Sequence, residues 1–167
     1  WLAQCNQGLA SLLDQKIGTG WRLNLEQLEK VRPFATDTGF REEFAAVKLQ
    51  NKSRLADYIK RETGIIVDPA SLFDVQVKRI HEYKRQLLNV LHVVSRYEKI
   101  LSGQDKDFSP RSVIFAGKAA SSYHMAKMII RLIHDVASVV NNDPRVGDRL
   151  KVVFVPNYGV SVAELLM

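Results

Sequence analysis

The chain reads as an α/β protein, one half of a doubly wound parallel sheet, on three observations. Short strand-like segments stand at residues 72–77, 112–116 and 150–155. Two long apolar-periodic helical patterns lie between them. Turn-forming residues separate each helix from the next strand, giving a β-α-β-α-β order with a further helix beginning at residue 160.

The first third reads as helical. Leu9, Leu12 and Leu13 recur at helical spacing in a segment closed by Gly18 and Gly20. A second short pattern, Leu23, Leu25, Leu28 and Val31, is expected to stop at Pro33. From Asp37 the apolar positions Phe40, Phe44, Val47, Leu55 and Ile59 predict a long packing helix. Asp37 or Thr38 is its N-cap and Gly64 its C-cap. Residues 1–70 therefore read as a helical lead-in, and residues 71–167 as a partial parallel α/β unit.

After Asp68-Pro69, Leu72 to Val77 alternates apolar and polar side chains, the signature of a half-buried strand. Leu87, Leu88, Val90, Leu91, Val94 and Tyr97 mark the next helix, and Ser102–Pro110 is a loop. Ser112 to Ala116 is short and mostly apolar, as a buried parallel strand requires. Met125, Met128, Ile129, Leu132, Ile133 and Val136 define a second helix ending near Asn141-Asn142-Asp143-Pro144. Leu150 to Val155 is the third strand. Three strands make a thin sheet, so more C-terminal sequence is expected to close the core.

Composition narrows the function classes. With 167 residues, 46% apolar and 25% charged, the chain is neither disordered nor fibrous. One cysteine excludes a disulfide framework and a multi-cysteine zinc site, and suits a reducing compartment. No apolar run approaches the roughly 20 residues that span a bilayer, so a membrane anchor is not expected. The chain starts at Trp1 without a charged-then-apolar leader; no targeting signal is read, and a piece of a longer protein is expected.

The net charge of +6 is uneven. Residues 78–85, Lys-Arg-Ile-His-Glu-Tyr-Lys-Arg, hold four cations and one anion at a strand-to-helix turn. There, free N–H groups and the helix dipole already favour an anion. Ligands of such sheets gather beyond the carboxyl ends of the strands. Lys78 and Arg79 leave the strand toward opposite sides, and Lys84 and Arg85 follow a turn and a half later. Two cationic sites around one turn suit two neighbouring phosphates, whose repulsion at about 4 Å is roughly 4 kcal/mol at an effective dielectric near 20. His81 and Tyr83 add a titratable group and a neutral donor. A solvated, basic helix start is the plainer alternative.

Other motifs are weaker. Gly117-Lys118-Ala119 lacks the preceding glycine and the Ser/Thr of a Walker A loop, and no G-x-G-x-x-G follows a strand. Gly117 and the two alanines allow a close backbone approach, to a ligand or to another segment. His92, His124 and His134 read as helix-surface or core-edge residues, Cys5 as a packing residue, and no metal site is expected. Pattern alone ends at an α/β half-domain with an anion site at a strand end.

Longer strings go further. Residues 71–89 read Ser-Leu-Phe-Asp-Val-Gln-Val-Lys-Arg-Ile-His-Glu-Tyr-Lys-Arg-Gln-Leu-Leu-Asn. This run closely resembles the glycogen/starch (α-glucan) phosphorylase family. So do residues 1–10, Gly117–Ala120 with Tyr123–Ile130, and Val140–Pro144 through Leu150–Glu164, in the same order along the whole chain. The resemblance implies the first, Rossmann-like half of the C-terminal domain of a GT-B glycosyltransferase. The implied reaction is phosphorolysis of terminal α-1,4-glucosyl units of glycogen, starch or maltodextrin to glucose 1-phosphate. Pyridoxal 5′-phosphate would take part through its phosphate group.

The resemblance also implies roles for particular residues. Arg79 and Lys84 would hold the substrate phosphate, and Lys78 with Lys84 would neutralise the cofactor phosphate. Tyr83 would contact a glucose hydroxyl, and His81 would lie beside the catalytic gate. Trp1 and Tyr158 would line the pyridoxal pocket; Ala120 and Tyr123 would form the mouth of the site. The Schiff-base lysine is expected beyond Met167, so this piece alone is expected to be inactive. A cytoplasmic homodimer (plastidic in a plant or alga) is the implied setting. Two departures stand out: Gly159 where many animal members have Arg, and Ser121-Ser122 in place of Pro-Gly. A basic nucleic-acid-binding module is one alternative, disfavoured by the lack of interleaved aromatics near 78–85. A non-catalytic sugar-nucleotide or structural domain is the other.

Overall fold

The computed structural model describes residues 1–106 and 108–166, and the chain divides into two units. One comprises Trp1–Leu55 with the segment from Val160 onward, and the other Ala56–Gly159.

In the first unit, α1 (Leu2–Cys5) and α2 (Gln7–Ile17) are followed by 3-10 turns at Thr19–Arg22 and Leu25–Thr36. Asn6 caps α2 by accepting from the Leu9 N–H at 3.1 Å, and Gly18 (φ +75°) ends it. Ala10, Leu13 and Trp21 form the local core, with Leu28 and Val31 packed against it. The buried Trp21 indole donates to Asp14 at 3.0 Å, so its one polar atom is satisfied. The pattern expected to be a helix stopping at Pro33 is instead a 3-10 stretch running through Pro33 to Thr36, with no buried residue. Its first two leucines, Leu23 and Leu25, are exposed. A stretch with little apolar surface to bury gains nothing from a straight α-helical stripe, and tight i→i+3 turns connect it in short pieces.

Helix α3 (Thr38–Thr63) crosses the division between the units. Asp37 caps it by accepting from the Phe40 N–H at 2.7 Å, and Gly64 at φ +75° ends it, as the sequence predicts.

The second unit holds the sheet. Strands β1 (Leu72–Val77), β2 (Arg111–Ala116) and β3 (Leu150–Val155) are all parallel, in the order β1-β2-β3. Leu72 pairs with Arg111 and Arg111 in turn with Leu150, and Val77 with Ala116 and Ala116 with Val155, so the three strands end in line. Helices α4 (Gln86–Leu101) and α5 (His124–Asn142) make the crossovers, and α6 (Val160–Leu166) follows β3. Val113, Phe115, Leu150 and Val152 of the sheet share one core with Val90, Val93 and Ile100 of α4 and Ile129 and Ile133 of α5. Asn141 pairs its side-chain amide with both the N–H and the C=O of Val152, at 2.9 and 2.8 Å, and so occupies part of the outer edge of β3.

Helix α4 departs from the expected apolar face. Leu87, Leu88 and Leu91 are exposed, whereas Gln86, Val90, Val93, Arg96 and Ile100 are buried. The buried set recurs every three to four residues and forms a narrow seam on the core. Among the described residues, no helix is long and apolar enough to cross a membrane.

Candidate functional site

Beyond the carboxyl ends of β1 and β2 the chain forms two loops, 78–85 and 117–123, with a cleft of about 350 Å³ between them. Main-chain bonds continue the ladder past the strands: Lys78 N–H donates to Ala116 O at 3.2 Å and Ile80 N–H to Lys118 O at 3.1 Å. Gly117 makes this closeness possible. A Cβ at that position would lie 2.0 Å from the carbonyl oxygen of Lys78. The close approach is therefore of backbone to backbone, which decides between the two alternatives left open by the sequence.

Ile80 is the anchor of the first loop. It is buried in the core, and its neighbours Arg79 and His81 both line the cleft. Lys84, Tyr83, Lys118, Ala120 and Tyr123 complete most of the lining. Lys78, one residue closer to the strand, is exposed and outside it. Among the described residues, none of Lys78, Arg79, Lys84 and Lys118 has a carboxylate within ion-pair distance. A cleft that gathers uncompensated cations has the electrostatics that suit a polyvalent anion.

Aromatic groups close one side. The His81 ring lies 4.0 Å from that of Tyr83 and 4.9 Å from that of Tyr123. Its Nδ1 accepts from the Tyr83 N–H at 3.4 Å, an arrangement that places the neutral ring's proton on Nε2. Tyr123 donates its hydroxyl to Glu82 at 2.6 Å, tying the second loop to the first. That bond, more than burial, raises the Tyr123 hydroxyl above its usual value. The Lys84 ammonium sits 5.7 Å from the centre of the Tyr83 ring.

Sequence-predicted site residues thus divide. Arg79, His81, Tyr83, Lys84, Ala120 and Tyr123 converge on the cleft. Tyr158 lies in the turn after β3 and does not line it, and Trp1 belongs to the other unit. Sequence reasoning missed Glu82, Gln76, Gln86 and Asn89. Glu82 was masked by the cations around it. The three amides carry no charge, and only the position of Gln86 on the buried seam of α4 could have marked it.

The strings and the geometry meet in the comparisons with known proteins. The carbohydrate phosphorylase family model matches residues 1–167, the whole chain. The chain belongs to the carbohydrate phosphorylase family. It is 56% identical over all 167 residues to the glycogen phosphorylase of Haemophilus influenzae, and 54% identical over the same length to that of Chlamydia trachomatis. Against the human liver form it is 54% identical over 164 residues, 98% of the chain. In each case it spans about a fifth of the relative's length: 20% of the two bacterial phosphorylases and 19% of the human one. Within this family the parallel sheet and its two helices account for the expected α/β half.

Proposed function

We propose that this chain is part of an α-glucan phosphorylase, which transfers terminal α-1,4-linked glucosyl units of glycogen, starch or maltodextrin to inorganic phosphate and releases glucose 1-phosphate. The observation that carries the reading is the set of unpaired cations, Arg79, Lys84 and Lys118, around one cleft at the carboxyl ends of parallel strands. Family membership supports phosphate as their anion. A GT-B enzyme, cytoplasmic and homodimeric, goes with that reading. Residues 71–167 serve as its phosphate- and cofactor-binding unit, and residues 1–70 lead into it.

The Arg79 guanidinium offers a planar fork to two phosphate oxygens, and the Lys84 ammonium supplies a point charge from the other end of the loop. Tyr83, exposed and at the rim, directs its hydroxyl to a sugar hydroxyl. The His81 ring, held against Tyr83 and Tyr123, keeps a donor Nε2–H at the opening. Ala120 leaves the mouth of the cleft free of bulk.

The donor set also fits a second phosphate. Lys78 directly after β1 and Lys84 in the same loop have no carboxylate partner among the described residues, so they suit the phosphate of pyridoxal 5′-phosphate. Lys78 and Lys84 would hold that group, and Tyr158 would line its ring. When bound, the cofactor supplies a phosphate that exchanges a proton with the substrate phosphate. The cations lower the repulsion between the two groups, which in their absence is several kcal/mol at contact.

The test is Arg79→Ala in the complete enzyme. The kcat/KM for phosphate is expected to fall about a hundredfold or more, while the KM for glucan stays within about threefold. Equal loss for both substrates, or none for phosphate, refutes the role. A nucleic-acid-binding module would instead show polynucleotide affinity falling steeply with salt.

A further inference from the structure

The loop that carries the cations is held at both ends by side-chain amides. At its start Gln86, fully buried at the first position of α4, turns back beneath the loop. Its Nε2 donates to the Arg79 carbonyl at 3.1 Å, and its Oε1 accepts from the His81 N–H at 3.4 Å. One amide thus spans Ile80, whose own N–H is already bonded to Lys118 O. At the other end Gln76, on β1, donates from Nε2 to the Lys84 carbonyl at 3.0 Å, and Asn89 of α4 donates to Gln76 Oε1 at 2.9 Å. Between the two lies Arg85 at φ +63°, a left-handed residue joining the loop to α4.

We infer that Gln86 is a positioning residue for the phosphate cation Arg79, and that Gln76 with Asn89 plays the same part for Lys84. The inference rests on the proposed phosphate site. Each amide touches the main chain of the residue whose charged head must meet the anion, and neither reaches the anion itself. A neutral amide suits the task because it satisfies a carbonyl and an N–H at once. It also adds no charge that would cancel the cations. A buried glutamine with both ends bonded has no packing advantage over leucine, so its geometry is the specific contribution.

The experiment uses the complete enzyme and inorganic phosphate. In Gln86→Leu the KM for phosphate is expected to rise about tenfold, with the KM for glucan within about twofold. Gln76→Leu should give the same split. Gln86→Glu supplies a signature that a packing role lacks. Its carboxylate keeps the acceptor for His81 N–H but loses the donor to Arg79 O, and burial raises its pKa. Relative to wild type at each pH, its phosphate KM should therefore recover as the pH falls and the carboxyl becomes a donor, while that of Gln86→Leu stays high. If Gln86→Leu does not fold, Gln86→Glu and Gln76→Leu decide the matter. Equal rises in both KM values, or no recovery in Gln86→Glu, overturn the inference and leave the phosphate site standing. A wild-type enzyme that does not consume phosphate on a glucan overturns both.

Discussion

The two ends of one sheet are built on opposite electrostatic plans. At the amino end, where the strands begin, charges are matched. Arg111 bonds Asp74 at 2.7 Å, Arg149 bonds Asp105 at 2.5 Å, and Asp143 takes both Arg145 and the Tyr97 hydroxyl at 2.7 Å. Even Arg96, which bonds no carboxylate among the described residues, lies over the Phe108 ring at 4.3 Å. At the carboxyl end, Lys78, Arg79, Lys84, Arg85 and Lys118 are accompanied by a single acid, Glu82, which is engaged by Tyr123. Matched charges hold loops in place, and each exposed pair is worth little. Unmatched charges in a cleft raise the energy of the empty site and are relieved by an anion.

Three experiments can break or sharpen that contrast. The largest effect is expected of Gly117→Ala, because its Cβ would meet the Lys78 carbonyl at 2.0 Å. A loss of about 2–4 kcal/mol in chemical denaturation is expected, together with weakened phosphate use. A loss below about 1 kcal/mol would mean that the two loops separate at little cost.

Next is a paired test in the complete enzyme. Lys118→Gln at the carboxyl end should raise the KM for phosphate by about threefold to tenfold with little change in Tm. Arg149→Gln at the amino end should lower Tm and leave that KM unchanged. A similar response from both variants would erase the distinction between the two ends.

The smallest effect concerns acid. Arg145, and after it Tyr97, hold the Asp143 carboxyl well below the ordinary carboxylate range. Its contribution to stability is therefore complete above the ordinary value of about 4 and is lost as pH falls through the lower folded-state value. Asp143→Asn should melt below wild type at pH 7, with the gap beginning to narrow only below about pH 4. A gap that is constant down to pH 3 and below would show that Asp143 acts through packing alone.

The strands were legible because alternation in Leu72–Val77 and the short apolar runs 113–116 and 152–155 each have one structural meaning. The cations of the cleft were legible because charge at a strand-to-helix turn is conspicuous. The amides were not. Hydropathy places Gln86 and Arg96 outside, and the leucines of α4 inside, yet Gln86 is 0% exposed and Leu88 59%. Periodicity locates a helix but does not say which of two apolar stripes meets the sheet, when polar residues on the seam are satisfied by bonds that only the fold creates. The 3-10 stretch at 25–36 escaped for a related reason. Its leucines fit a helical period, and nothing in that period records that Leu28 only half-buries against the core while Leu25 stays exposed.

Ile80 sets the tempo of the cleft. With its side chain in the core and its N–H on Lys118, the segment around it cannot swing outward as a body without pulling an aliphatic group into water. Its exposed neighbour Arg79 has no such side-chain tether, and its head reorients on the picosecond-to-nanosecond scale of surface rotamers. Fast adjustment of Arg79 over a stationary main chain is the behaviour to expect, and relaxation-dispersion at the Ile80 amide should be quiet.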